Sequence, residues 1–372
     1  MAIFAIPFKY LRKITFFIKG KIFRRSLPST DACSDAAKCQ PPAKKSKRKV
    51  AENPKEVGGN SSELSSDTPN SDKPKVQTIN ASYKAFSNDA EQWVVVGASG
   101  QGNGHISMHM PCQDSSGYKY LGKGWGIAVA SDGAGSAKNS QVGSAITVQR
   151  VLVHFENLIS KEGWVNDNIL PDEIQWLKSS YRCLKQVHDD IEYFAKQKNV
   201  NFSSLSSTVI VVIHSPHGVL VCYVGDGRAG YMSTDGQWHS LIIPHKGEEA
   251  NQTIFLTSDF WNIPYYEMSG VLCPEARVIS GNVAAFVLMS DGCENTSWRC
   301  NLFDKNTHKY YDPNLPHKPF FDSIIKTLHS FRDNKIPDDA RSNKWAAFIA
   351  EGNDSFVRES DDKTMIVGYL YK

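Results

Sequence analysis

The chain has 372 residues, 41% of them hydrophobic, which is enough for one large core with a tail or for two modest domains. Its net charge of +3 balances unlike parts: about +11 over residues 1–50, about −2 over residues 51–90 and about −6 over the rest, so a basic tail precedes a mildly acidic body. No stretch reaches the roughly 18 consecutive apolar residues of a membrane span, and the eight cysteines show neither a CxxC pair nor a zinc-like spacing, so they read as reduced, buried thiols of a cytoplasmic protein.

Residues Phe4 to Arg25 mix aromatic and aliphatic side chains with Lys9, Arg12, Lys13, Lys19, Lys21, Arg24 and Arg25. The stretch reads either as a basic amphipathic helix for an anionic membrane surface, peripheral at the inner membrane, or as an arm that binds a partner or only keeps the chain soluble. Its apolar-then-basic order is the reverse of a secretory signal. The run Lys44-Lys45-Ser46-Lys47-Arg48-Lys49 is of a kind that takes polyanions without specificity. It lacks the interleaved aromatics of nucleic-acid recognition, which is not expected here. From Val50 to about Asn80 the chain is too poor in large apolar residues to fold. Residues 1–86 are therefore expected as a basic, mostly disordered tail and linker, and residues 87–372 as the folded domain.

Trp93 to Ala98 and Gly124 to Ser131 are short apolar runs that read as strands. Asn139 to Ile159 carries Val142, Ile146, Val148, Val151, Leu152, Phe155 and Leu158 at helical spacing, and Leu170 to Gln197 carries Ile174, Leu177, Tyr181, Leu184, Val187 and Ile191. Strands return at Thr208 to His214, Val219 to Gly225 and Arg228 to Ser233, with a turn at Pro216-His217-Gly218. Ala284 to Ser290 is a further strand, Phe320 to Phe331 and Asn343 to Glu351 are helical, and Thr364 to Tyr371 closes the chain as a strand. Strand clusters broken by helix pairs, without steady βαβ alternation, predict an α+β body whose helices cover a layered sheet core.

The chemistry stands at the strand ends. One strand-terminal Asp-Gly is ordinarily a turn. Here Ser131-Asp132-Gly133 and Ser290-Asp291-Gly292 repeat the pattern behind apolar strands, and Gly225-Asp226-Gly227 does so again. Asp361 precedes the last strand, and Asp114 follows Pro111-Cys112-Gln113. Turns alone do not account for such a set. Carboxylates converging from separate strands form the oxygen-only site that hard divalent cations prefer, with Mg²⁺ or Mn²⁺ the usual occupant. A glycine after Asp132 lets the backbone carbonyl approach a cation. These residues point to a metal-dependent hydrolase. A P-loop Lys-Ser/Thr and a GxSxG elbow are both missing.

Taken together, Gly104-His105-Ile106-Ser107 with Pro111-Cys112-Gln113-Asp114, Ser131-Asp132-Gly133-Ala134-Gly135-Ser136, Gly225-Asp226-Gly227, Gly247 to Thr253, Ser290-Asp291-Gly292 and Asp361-Asp362-Lys363-Thr364 resemble the type-2C metal-dependent serine/threonine protein phosphatases. In particular the set looks like the bacterial branch whose first motif reads Gly…His…Pro-Cys-Gln-Asp. The resemblance covers about Trp93 to Lys372; each motif is weak alone and the ordered set is specific. It implies a four-layer αββα sandwich of two antiparallel sheets flanked by helices. It implies two Mg²⁺ or Mn²⁺ ions held by Asp114, Asp132, the Gly133 carbonyl, Asp291 and Asp361, with Asp226 supporting the site from behind. Asp132 and Asp291 would act through a metal-bound water that attacks a phosphoserine or phosphothreonine of a protein substrate.

The chain also departs from that family's pattern. Gln113 stands where many members carry an acid, which implies weaker affinity at one metal. His105 stands nearest to the usual phosphate-gripping arginine, so it is either a phosphate contact or structural, with His109 as an alternative. Ala134 replaces a histidine that protonates the leaving group in animal members. Gly227 replaces a common serine without expected effect. Gly247 to Thr253 reads either as a cleft wall or as a turn. The same departures leave open a pseudophosphatase, a phosphoprotein-binding or regulatory module without turnover.

Overall fold

The computed structural model describes residues 76–77, 79–80, 92–247, 252–263, 266–268 and 270–371. All of them belong to one unit, Pro69–Lys372. The expectations for Phe4 to Arg25 and Lys44 to Lys49 lie outside the described residues, as does most of the 1–86 tail and linker.

Two six-stranded sheets make up the centre. One runs in the order β1 (Val76–Gln77), β3 (Gln92–Gly100), β18 (Lys363–Tyr371), β13 (Val283–Met289), β8 (Arg228–Ser233) and β9 (Trp238–Ser240). The other runs β12 (Glu275–Ser280), β7 (Gly218–Val224), β6 (Val209–Ser215), β5 (Trp125–Ser131), β4 (Ser115–Gly122) and β2 (Ile79–Asn80). Every pairing is antiparallel except the short β2–β4 contact. Among the described residues, sheet pairing begins at Val76. Two-residue strands add to a sheet edge through backbone hydrogen bonds, which the apolar pattern does not announce.

The central strands are apolar throughout because both faces are covered. In β5, Ile127 and Val129 face one core while Ala128 and Ala130 face another; in β13, Ala285, Val287 and Met289 oppose Phe286 and Leu288 in the same way. Three cores stack accordingly. The innermost lies between the sheets, around Ile210, Val212, Phe286, Leu288 and Ile366. The second joins one sheet to α2 (Ser140–Glu162) and α3 (Glu173–Lys198) through Phe155, Trp176, Leu184 and Val187. The third joins the other sheet to α5 (Lys318–Asp333) and α6 (Asp338–Glu351) through Phe321, Leu328, Trp345 and Ile349. The result is a helix–sheet–sheet–helix stack, as expected. The α3 start moves from Leu170 to Glu173 because Asp172 caps it, its carboxylate accepting from Gln175 N at 2.7 Å.

Other elements carry little apolar signal. The helix α1 (Asn103–Ser107) follows β3, and α4 (Glu294–Ser297) follows a 3₁₀ turn at Asp291–Cys293. Small two-stranded antiparallel pairs form from β10 (Glu267–Met268) with β11 (Val271–Leu272), β14 (Trp298–Arg299) with β17 (Leu315–Pro316), and β15 (Leu302–Asp304) with β16 (Lys309–Tyr311). α7 (Asp354–Arg358) precedes β18. Among the described residues no helix is long and apolar enough to cross a membrane. The six described cysteines are unpaired and buried.

Candidate active site

Antiparallel pairing carries the acid-bearing strand ends to one edge of the sandwich. β18 pairs with both β3 and β13, so Asp361, before β18, and Asp291, after β13, share that edge. β5 pairs with β4, which places Ser131 opposite Ser115 and so brings Asp132 beside Asp114. Close backbone approach tightens the junctions. A Cβ at Gly133 would lie 2.6 Å from the Gln113 carbonyl oxygen, and one at Gly292 would collide with the Asp362 carbonyl.

The carboxylates range from buried to open. Asp114 is buried, Asp132, Asp226 and Asp291 are partly buried, and Asp361 is exposed at the rim. Ser290 Oγ donates to Asp114 Oδ2 at 2.7 Å, while Ser290 Oγ in turn accepts from Thr364 N at 2.9 Å. Thr208 N donates to the Asp132 carbonyl at 2.8 Å, and Asp132 N donates to Thr208 Oγ1 at 3.1 Å. Asp291 lies close enough to Asp132 for its charge to raise the Asp132 pKa.

Burial and neighbouring charge raise the pKa values of these acids. Burial, then the charges of Asp114, Asp291, Asp361 and Asp226, push Asp132 well above the usual carboxylate range. Burial, then Asp362, push Asp114 up to about 8. Burial, then Asp226 and Asp361, push Asp291 up to about 7. Asp226 and Asp361 are also raised, burial leading in both. So large a concentration of like charge at one strand-end edge needs either protons or cations. Among the described residues no group of three or more His, Cys, Asp or Glu side chains is placed to hold a metal ion. The strand pairings nonetheless bring Asp114, Asp132, Asp291 and Asp361 to one edge of the sandwich.

Two further oxygens bear on what the edge can hold. Gln113 Oε1 and Asp291 Oδ1 are buried and have no hydrogen-bond partner. Buried acceptors of this kind call for an explanation. A set of carboxylate, amide and carbonyl oxygens, without sulfur, fits a hard dication.

The profile of the family described as "Protein phosphatase 2C" matches residues 101–340. The chain belongs to the protein phosphatase 2C family. It is 25% identical over 283 residues to "Serine/threonine-protein phosphatase 3" of Escherichia coli K12, covering 73% of this chain and 96% of that protein. Among solved structures, Staphylococcus aureus serine/threonine phosphatase Stp1 matches with 14% identity, TM-score 0.44, 77% of this chain and 100% of that one. The catalytic domain of PstP, in complex with two manganese ions, matches with 15% identity, TM-score 0.44, 76% and 100%.

Within this 2C phosphatase domain, the remaining candidates fall as follows. His105 is buried, its Nδ1 lying 2.9 Å from Asp362 Oδ1 but not aligned for a hydrogen bond. The ring is therefore turned toward a carboxylate through one of its two nitrogens. His109 is exposed, at φ 56°. Ala134 is buried and its N–H donates to Ser206 O at 3.0 Å. In the 247–253 stretch, Gly247 N donates to Gln252 O at 2.6 Å and Lys246 bridges Thr253; residues 248–251 lie outside the described residues. An apolar groove of about 430 Å³ between α5 and α6, walled by Phe320, Phe331, Trp345 and Phe348, touches none of the acids.

The sequence reading missed three supporting groups. Asp362 is buried and accepts from Gly102 N at 2.8 Å and Gln113 N at 2.5 Å, joining the stretches that carry Asp361 and Asp114. His245 packs on Tyr223; its Nδ1 accepts from Gly225 N at 3.2 Å while its Nε2 lies 2.9 Å from Leu272 O, fixing the loop before Asp226. Arg228 and Glu294 pair just beyond Asp226 and Asp291. The Asp361-Asp362 doublet was a usable signal, because neighbouring side chains at a strand end point to opposite sides and only one can face the acids.

Proposed function

We propose that this chain is a metal-dependent serine/threonine protein phosphatase of the bacterial branch with the Pro-Cys-Gln-Asp first motif, acting on phosphoproteins in the cytoplasm. The observation that carries the reading is the strand pairing that brings Asp132 to one edge of the sandwich, within electrostatic reach of Asp114, Asp291, Asp361 and Asp226. Two dications would be held by Asp114, Asp132, the Gly133 carbonyl, Asp291 and Asp361. When bound, they would lower the pKa of water and neutralise phosphoryl charge.

The chain's own groups have separable tasks. Ser290 and Thr364 orient Asp114. Thr208 holds both backbone groups of Asp132. Asp226, partly buried, adds negative charge beside Asp291 and so favours cation retention. Gln113 offers a neutral oxygen where an acid would offer charge, which weakens one ion's hold without abolishing it. Ala134 has no proton to give, so the leaving group takes its proton from water. His105 lies beside Asp362 through Nδ1, and any phosphate contact falls to its other nitrogen.

Purified protein with Mn²⁺ should dephosphorylate a phosphothreonine peptide and hydrolyse an aryl phosphate. Asp132→Asn and Asp291→Asn should each reduce both activities to background. Retained turnover in both variants would contradict the site. The pseudophosphatase reading rests on Gln113, His105 and Ala134, and would replace this one if saturating Mn²⁺ gave no turnover while phosphopeptide binding persisted.

A further inference from the structure

Arg228 opens β8 two residues beyond Asp226, and its side chain is wholly buried. A guanidinium stays charged at any relevant pH, so it needs partners there. It has three. Nε and Nη2 both reach Glu294 Oε2 at 2.8 Å, Nη2 reaches Asp312 Oδ2 at 2.6 Å, and Nη1 donates to Asn314 Oδ1 at 2.9 Å. Glu294 is itself buried and begins α4, three residues beyond Asp291. One cation therefore joins the loop of Asp226, the turn of Asp291 and the strand-poor stretch between β16 and β17. From another side, Lys246 Nζ lies 3.3 Å and 3.2 Å from the two Glu294 oxygens.

Buried ion pairs are a poor source of stability compared with apolar packing, since desolvation offsets most of the attraction. Placement is more telling here. Both partners sit within three residues of a site acid, and the fork of an arginine fixes direction as well as distance. The Glu294 charge also reaches both Asp226 and Asp291, raising each. Without its cations it would add a further negative charge, free to move, beside them.

We propose that Arg228 and Glu294 are positioning residues: their bridge sets the separation of the Asp226 and Asp291 segments and thereby the site's affinity for divalent cations. This rests on the metal-site reading given above. Groups that orient metal ligands typically change affinity by about 10–100-fold when altered.

The test is Mn²⁺ titration of the full chain, with free Mn²⁺ read by its paramagnetic resonance signal and melting recorded in parallel. Arg228→Lys keeps the charge but loses the fork, and should bind Mn²⁺ about 10–100-fold more weakly while still folded. Asp312→Asn touches only the partly exposed arm of the bridge. It keeps the test alive if Arg228→Lys does not fold, and should weaken binding by at least about threefold. Folded variants that bind Mn²⁺ as tightly as the unaltered chain would overturn the positioning role alone. An unaltered chain that binds no Mn²⁺ would overturn the metal-site reading and this inference with it.

Discussion

Asp362 and Arg228 flank the acids from different sides and are built in different ways. Asp362 is one carboxylate satisfied by two backbone N–H groups, from Gly102 and Gln113, with His105 alongside. Its donors belong to segments about 250 residues earlier in the chain, and side-chain replacement cannot remove them. Arg228 draws only on side chains: Glu294, Asp312 and Asn314. Backbone donors are already ordered by the β3 and β4 ends, so the Asp362 junction costs little extra entropy. The Arg228 bridge must order several long side chains. The first is accordingly a rigid anchor with a single point of failure, and the second an adjustable brace with several.

The two largest effects, of similar size, should come from the anchor and the brace. Asp362→Ala strands two buried N–H donors at about 1–3 kcal/mol each. Calorimetry should show a melting point lower by roughly 10 °C, taking about 2–4 °C per kcal/mol for a domain of this size. A loss under about 2 °C would mean that water replaces the carboxylate and that the junction is no anchor. Removing the brace outright with Arg228→Met should cost about 3–5 kcal/mol, because among the described residues it leaves buried Glu294 with Lys246 as its one remaining cation. If instead that variant melts with the unaltered protein, the brace contributes only through geometry.

A smaller and reversible effect comes from pH. Asp114, beside the anchor, is pushed up to about 8, and Asp291, beside the brace, to about 7, both first by burial. The folded chain keeps these protons at pH values where unfolded carboxylates, near the ordinary 3.8, have lost them. Stability from these groups is therefore full below about pH 4 and falls as pH rises through 7 to 8. Thermal melting without divalent ions should show that decline from pH 5 to pH 8, and millimolar Mn²⁺ should abolish it. A metal-free melting point that climbs over the same interval would show that the acids are not mutually repelling.

The smallest effect separates the two roles of His105. His105→Gln should lower kcat by less than about tenfold with KM unchanged if the ring only supports Asp362. A raised KM for an aryl phosphate at unchanged kcat would restore the phosphate contact.

The same contrast explains what could be read before the fold was known. β5, β6, β7, β13 and β18 were legible because burial on both faces writes continuous apolar runs, and their terminal Asp-Gly pairs stood out against them. β4 was not, because its buried Ser115 and Ser116 are satisfied by Ser144 and Ser99 hydroxyls, at 3.0 and 2.9 Å, and so read as polar. β12 was missed as a half-buried edge strand. The site acids were visible as a repeated local pattern. Arg228 and Glu294 were not, since they act through partners far away in sequence, and pairing at that range leaves no local trace; Asp362 left only the Asp361-Asp362 doublet.

The central claim is that acids from distant strand ends gather to hold dications. Crystals of the chain grown with MnCl₂, measured at the manganese absorption edge, test it most directly. Anomalous peaks enclosed by Asp114, Asp132, Asp291 and Asp361 are the predicted result. Manganese bound elsewhere, with Asp132 and Asp291 turned away from each other, would contradict it.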